Sequence, residues 1–179
     1  MKLILVRHAQ TNYNLHHLMN SDPSVDVHLT ELGTRQARKL AHDLKDSNYD
    51  VVYISELSRT KETADIINEQ HGKAVIVDGR LNDNKSGFEN QTVQVWYDAL
   101  DASDDKFNAR FNEGESYNDI FERVSRFMED LKTKDYDTVL MVTHRLITQM
   151  IYVYLEHRSL EHLEDFEVKQ GLFAKFDII

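Results

Sequence analysis

Apolar residues cluster in five short runs along the chain: Leu3-Ile4-Leu5-Val6, Val51-Val52-Tyr53-Ile54 after Asp50, Ala74-Val75-Ile76-Val77, Thr138-Val139-Leu140-Met141-Val142 and Leu172-Phe173-Ala174-Lys175-Phe176. Such runs are expected of strands buried on both faces, because alternate side chains point to opposite sides and both sides must then be apolar. Helical spacing fills the intervals. Thr30 is a plausible N-cap ahead of Ala37, Leu40, Ala41 and Leu44. Ser55 can cap a helix that runs to about Glu69, with Gly72 as its stop. Ser116 and Asp119 form a capping-box pattern in which the shorter Asp replaces Glu, and Tyr117, Ile120, Phe121, Val124, Phe127, Met128 and Leu131 follow as one stripe. A last helix is expected over roughly Leu146 to Leu155.

Strands alternating with helices predict an α/β fold: a three-layer α/β/α sandwich around a largely parallel central sheet. Residues 83–113 break the alternation. They hold Trp96, Tyr97, Phe107 and many acids, and read as a small cap or lid segment with short helices. With 179 residues, a single proline at Pro23 and no breaker-rich linker, 1–179 reads as one domain.

The formal net charge of −10, with no Lys/Arg cluster, argues against nucleic acid and anionic membrane as partners. A small anion needs only a local pocket of cations and stays compatible with that charge. The absence of cysteine excludes disulfides, thiolate catalysis and Cys-based zinc sites. Adjacent His16 and His17 would point apart in extended chain and make a poor metal site. The apolar start meets Arg7 and His8 at once. That run is too short for a signal segment or membrane span, so the expected location is the cytoplasm.

Ligands of open parallel sheets bind beyond the carboxyl ends of the strands. Three runs end there in chemistry-bearing residues: Arg7-His8 after the first, Ser55 to Arg59 after the second, and His144 after the fourth. Taken singly, each is more often a salt-bridged strand end, a capped helix or a partly buried histidine. Taken together they favour a phosphate site. Two guanidinium forks match phosphate oxygens bidentately. A neutral imidazole can attack phosphorus, and a second, protonated one can donate to the equatorial oxygens. Helix N-termini after the strands would add N–H donors.

These residues resemble the histidine phosphatase superfamily, also called phosphoglycerate mutase-like. The opening motif of that family, Arg-His-Gly-x-Thr-x-x-Asn, stands here as Arg7-His8-Ala9-Gln10-Thr11-Asn12-Tyr13-Asn14. Leu29-Thr30-Glu31-Leu32-Gly33 with Gln36-Ala37, Ser55-Glu56-Leu57-Ser58-Arg59 with Thr63-Ala64, Gly114-Glu115-Ser116 and Val142-Thr143-His144 match further segments in the family order. The resemblance implies that His8 is the phosphorylated nucleophile and that Arg7, Arg59 and His144 complete the phosphate pocket. Thr11 and Asn14 match positions near it, and Ser55 and Gly33 match structural ones.

Three departures matter. Ala9 replaces glycine. Arg145 follows His144 where the family usually has glycine, so it alters the pocket wall or adds a third cation. The glutamate that usually donates a proton is matched by Asp83 in Leu81-Asn82-Asp83, one methylene shorter, with Glu89 as an alternative donor; Asp83 is the favoured general acid. Glu115 either anchors its loop by pairing with an arginine or serves as a first-turn acid of the helix. The resemblance implies a phosphoric monoester hydrolase that needs neither metal nor cofactor, acting on a small phosphorylated metabolite or a phosphoprotein. The short 83–113 segment argues against the alternative of phosphoglycerate mutase-type transfer, for which the site must be covered extensively. A third possibility is a catalytically impaired module that only binds a phospholigand. Oligomeric state is left open.

Overall fold

A computed structural model describes residues 1–178, and in it the five apolar runs assemble into one sheet. The strands are β1 (Lys2–Arg7), β2 (Val51–Ile54), β3 (Ala74–Val77), β4 (Thr138–Thr143) and β5 (Phe173–Asp177), in spatial order β3-β2-β4-β1-β5. The first four are mutually parallel, whereas β5 runs antiparallel on the outer side of β1. The helices are α1 (Asn12–Leu15), α2 (Glu31–Leu44), α3 (Ser58–Asn68), α4 (Val93–Asp101), α5 (Tyr117–Lys132) and α6 (Arg145–Leu155).

Strand alternation divides the core in two. Ile4, Val6, Val52, Ile54, Leu140 and Val142 point to the side covered by α2 and α3, through Leu40, Leu44, Ala64 and Ile67. Leu3, Leu5, Val51, Tyr53, Val139 and Met141 point to the other side, against Ile120, Val124, Phe127, Ile147 and Ile151 of α5 and α6. Helix layers on both faces make the expected sandwich. The apolar stripe of α5 buries Tyr117, Ile120, Val124, Phe127, Met128 and Leu131, at about 1.5–3 kcal/mol for each large aliphatic or Phe side chain removed from water. Its start carries the capping box: Ser116 Oγ accepts from Asp119 N, and the Asp119 carboxylate accepts from Ser116 N.

Three local expectations need correction. The runs at 74–77 and 172–176 are not strands buried on both faces. Both lie at sheet edges, where one neighbour is missing, and Val75 and Val77 are exposed. Ser55 is not the N-cap of α3. Leu57 holds that position with no side-chain cap bond, because the Ser55 hydroxyl is turned into the interior toward His144. No helix among the described residues is long and apolar enough to cross a membrane.

Within 83–113, α4 is the one regular helix, and Trp96 and Leu100 anchor it to the α5–α6 side of the core. Its approach is tied to the loop after α1, where Met19 N donates to Gln91 O and Val93 N donates to His17 O. The segment therefore lies across the carboxyl edge of the sheet.

Candidate active site

Parallel register brings the two histidines together. Arg7 of β1 is paired with Thr143 of β4, so both strands end at the same level and His8 and His144 emerge side by side. His8 N donates to Thr143 O at 2.9 Å, and the imidazole centroids lie 5.1 Å apart at 61°. Both rings are buried. Strand β2 ends one step away, and its next residue, Ser55, meets His144 Nε2 at 2.9 Å. Arg59, in the first turn of α3, reaches the same point; its Nε donates to His144 Nδ1 at 3.3 Å.

The hydrogen bonds fix the tautomers. His8 Nδ1 faces the Ala9 carbonyl at 2.8 Å. A carbonyl only accepts, so Nδ1 carries the proton and Nε2 keeps its lone pair. In His144, Nδ1 accepts from Arg59, so Nε2–H donates to Ser55; the chain continues to Thr60, whose hydroxyl donates to Leu57 O. Burial holds the His8 pKa well below the ordinary histidine value, with Arg59 and His144 adding to the effect. Burial does the same to His144, reinforced by Arg59, Arg123 and Arg7. Both imidazoles are thus neutral near pH 7. An anion beside them would have the opposite sign of effect.

Arg59 is 4% exposed, and a buried cation needs partners. Its Nη1 donates to Asn20 Oδ1 at 3.2 Å, while Nη2 donates to Asn20 O at 2.9 Å and to Asp83 Oδ2 at 3.1 Å. The same Asp83 oxygen lies 3.5 Å from His144 Nδ1, so this carboxylate stands among the groups that would bind an anion. Arg7 Nη1 donates to Glu167 Oε1 at 3.1 Å, and its buried Nε has no partner. Helices α3 and α6 both start at this edge without a capping side chain, which leaves first-turn N–H groups for a ligand.

Arg7, His8, Thr11, Asn14, Arg59, Asp83 and Arg145 all line one cavity of about 340 Å³, within the range of small-molecule sites. Thr11 caps α1 in a box with Asn14. Asn14 Oδ1 accepts from Thr11 N, Thr11 Oγ1 and Gln170 Nε2, which leaves its amide N–H groups free for a ligand. Arg145 forms part of the outer wall. Glu89 does not belong to this cavity. Both its oxygens accept from Ser21, N at 2.8 Å and Oγ at 2.6 Å, and it lines the adjacent recess instead. Of the two candidate acids, Asp83 lines this cavity and Glu89 does not. No group of three or more His, Cys, Asp or Glu among the described residues could hold a metal ion.

Several residues of the site carried no sequence signal. Asn20 and Glu167 lie in irregular segments and gain meaning only from the arginines they bind. Arg123 is an ordinary helix position whose side chain grips the Asp83 loop: Nη1 donates to Arg80 O at 2.6 Å and Nη2 to Asp83 O at 3.3 Å. Glu115 holds Arg123 through Nε at 2.7 Å and Nη2 at 3.1 Å, and accepts Lys85 N at 3.0 Å. The anchoring role for Glu115 is therefore the observed one.

With this geometry in view, comparisons with known proteins converge. The model of the histidine phosphatase superfamily (branch 1) matches residues 3–178. Phosphoserine phosphatase 1 of Hydrogenobacter thermophilus is 32% identical over 162 residues, which cover 87% of this chain and 76% of the relative. The adenosylcobalamin/alpha-ribazole phosphatase of Escherichia coli is 26% identical over 187 residues, covering 99% and 90%. Among solved structures, the alpha-ribazole phosphatase from Shigella flexneri superposes with a TM-score of 0.89 at 27% identity, covering 99% of this chain and 90% of that one.

Proposed function

The chain belongs to the histidine phosphatase superfamily, branch 1, and from that premise we propose that it hydrolyses phosphomonoesters through a phosphohistidine formed on His8. The observation that carries the proposal is the state of His8: Nδ1–H is fixed on the Ala9 carbonyl, so Nε2 faces the cavity as a free lone pair. Nε2 attacks phosphorus, and the bond from phosphorus to the ester oxygen breaks. Arg7, Arg59 and His144 stabilise the charge on the equatorial oxygens. Asp83 is the acid placed to pass a proton to the departing oxygen. The resulting carboxylate then takes a proton from water as that water attacks the phosphohistidine, which releases inorganic phosphate and restores both groups. Asp83 sits 3.1 Å from Arg59 and 3.5 Å from His144, close enough to serve both half-reactions. No step uses a metal.

The cavity volume suits a small phosphorylated molecule or a single phosphorylated side chain. The test is a panel of phosphomonoesters and phosphopeptides, with O-phosphoserine and alpha-ribazole 5′-phosphate included because of the named relatives, assayed with chelator present. His8→Ala should abolish turnover, and quenching a single turnover of the wild type should leave acid-labile phosphate on His8. Undiminished activity in His8→Ala, with contaminants excluded, would overturn the mechanism. Assaying 3-phosphoglycerate for isomerisation beside phosphate release separates hydrolysis from mutase chemistry.

A further inference from the structure

The outer part of the cavity has a different character from its floor. Trp96 and Tyr97 of α4, Tyr117 of α5 and Leu146 of α6 line it, with Trp96 5.3 Å from Tyr97 and 5.4 Å from Tyr117 between ring centroids. Among the described residues the cation in this part of the wall is Arg145, and all three of its nitrogens are engaged. Nη1 donates to the Tyr97 hydroxyl at 2.8 Å, Nη2 to Glu164 at 3.0 Å and Nε to Glu167 Oε1 at 3.2 Å. That same Glu167 oxygen also accepts from Arg7 at 3.1 Å.

The charges around the cavity therefore match one to one: Arg7, Arg59 and Arg145 against Asp83, Glu164 and Glu167. A phosphate on the floor finds, besides these guanidiniums, His8 and helix N-termini. A second anionic group on the substrate would find no such surplus. It would have to displace Glu164 or Glu167 from Arg145 and then sit beside the displaced carboxylate, and like charges at such range repel. An uncharged ring meets no such obstacle, because Arg145 fixes the Tyr97 hydroxyl and leaves its ring beside Trp96 as an apolar wall.

Resting on the hydrolase reading above, we propose that Arg145, clasped by Glu164, Glu167 and Tyr97, is a specificity-determining residue. It selects monophosphates whose other end is an uncharged, ring-bearing group and disfavours those that carry a second anion. Arg145 here closes and shapes the wall rather than receiving the substrate's charge.

Phenyl phosphate and 4-carboxyphenyl phosphate differ by one carboxylate and make the direct probe. The wild type should favour phenyl phosphate at least tenfold in kcat/KM. Glu164→Gln should reduce that preference at least threefold by loosening one carboxylate from the clasp, whereas Arg145→Met, which leaves the carboxylates without their cation, should enlarge it. A purely structural role would slow both esters equally and leave the ratio unchanged, which would overturn the proposal. Equal or better turnover of the carboxylated ester by the wild type would overturn it too, by making Arg145 an anion subsite. Calorimetric binding of phenylphosphonate and 4-carboxyphenylphosphonate, which cannot be cleaved, gives the same comparison without chemistry. No turnover of either ester with the binding preference intact would sink the hydrolase reading and support this one; turnover of both with no preference would sink this one alone.

Discussion

Acidification gives a quantitative check on the site, because His8 and His144 are both buried in neutral form. In the unfolded chain each titrates near its ordinary value of about 6.5. In the folded chain each is held well below that, so below pH 6.5 the unfolded state binds more protons and stability falls with pH. The loss begins near the unfolded value and levels off only below the folded one. Each histidine then removes about 1.4 kcal/mol per pH unit. Summed over two groups, that slope is large against the roughly 5–15 kcal/mol that typically holds a domain together. The groups facing the pair are Arg7, Arg59, Arg123 and Asp83; the arginines stay charged across this range and oppose protonation. Urea unfolding followed by the fluorescence of buried Trp96 should show the loss. A His8→Gln, His144→Asn double variant should be almost flat over the same interval, after subtraction of the slope common to both proteins. Saturating inorganic phosphate should shrink the wild-type loss, since a bound dianion favours the charged imidazoles. Equal losses in wild type and double variant would refute the claim that these two rings are buried neutral.

Other perturbations test the scaffold. In Gly33→Ala the new Cβ would lie 2.0 Å from the Gln10 carbonyl oxygen, so it should cost about 1–3 kcal/mol, lower Tm by several degrees and weaken phosphate binding by shifting the loop after His8; an unchanged Tm would show that the contact relaxes freely. Arg123→Met should cost somewhat less than the roughly 3–5 kcal/mol for breaking a fully buried ion pair, since Glu115 and Arg123 keep partial exposure. It should lower kcat about tenfold while KM moves little, because it loosens the Asp83 loop and spares the phosphate pocket; a rise in KM alone would contradict that assignment. Ser116→Ala removes the α5 cap and should cost about 1 kcal/mol in chemical denaturation, with activity retained; no loss would mean that Asp119 holds the helix start alone.

Much of the fold could be read from local pattern. The inner strands β1, β2 and β4, the stripe of α5 and its Ser116–Asp119 cap all follow from contacts within a few residues or from burial on both faces. The edge strands could not be read this way. Ala74–Val77 has the same composition as an inner strand, and only the absence of a further neighbour exposes it. Ser55 looked like a cap because a hydroxyl before a helix usually is one, yet a histidine 89 residues further along takes it. Arg7-His8, Arg59 and His144 stood out because polar groups that end dry runs are conspicuous, and parallel strands deliver such ends to one edge.

The partners that tune those groups lie elsewhere in the chain. Asn20 and Asp83 on Arg59, Glu167 shared by Arg7 and Arg145, and Arg123 gripping the loop of Asp83 are long-range contacts with no local trace. The different surroundings of Asp83 and Glu89 were of the same kind, since both are acids in one irregular segment and Ser21 occupies the second. The amino-acid order by itself determined the strand and helix types and the residues able to carry phosphate chemistry, because propensity, period and functional-group identity are local properties. Only the tertiary structure decided which of those groups are neutral, paired or aimed into the cavity, because desolvation and charge pairing depend on what the rest of the chain brings within a few ångströms.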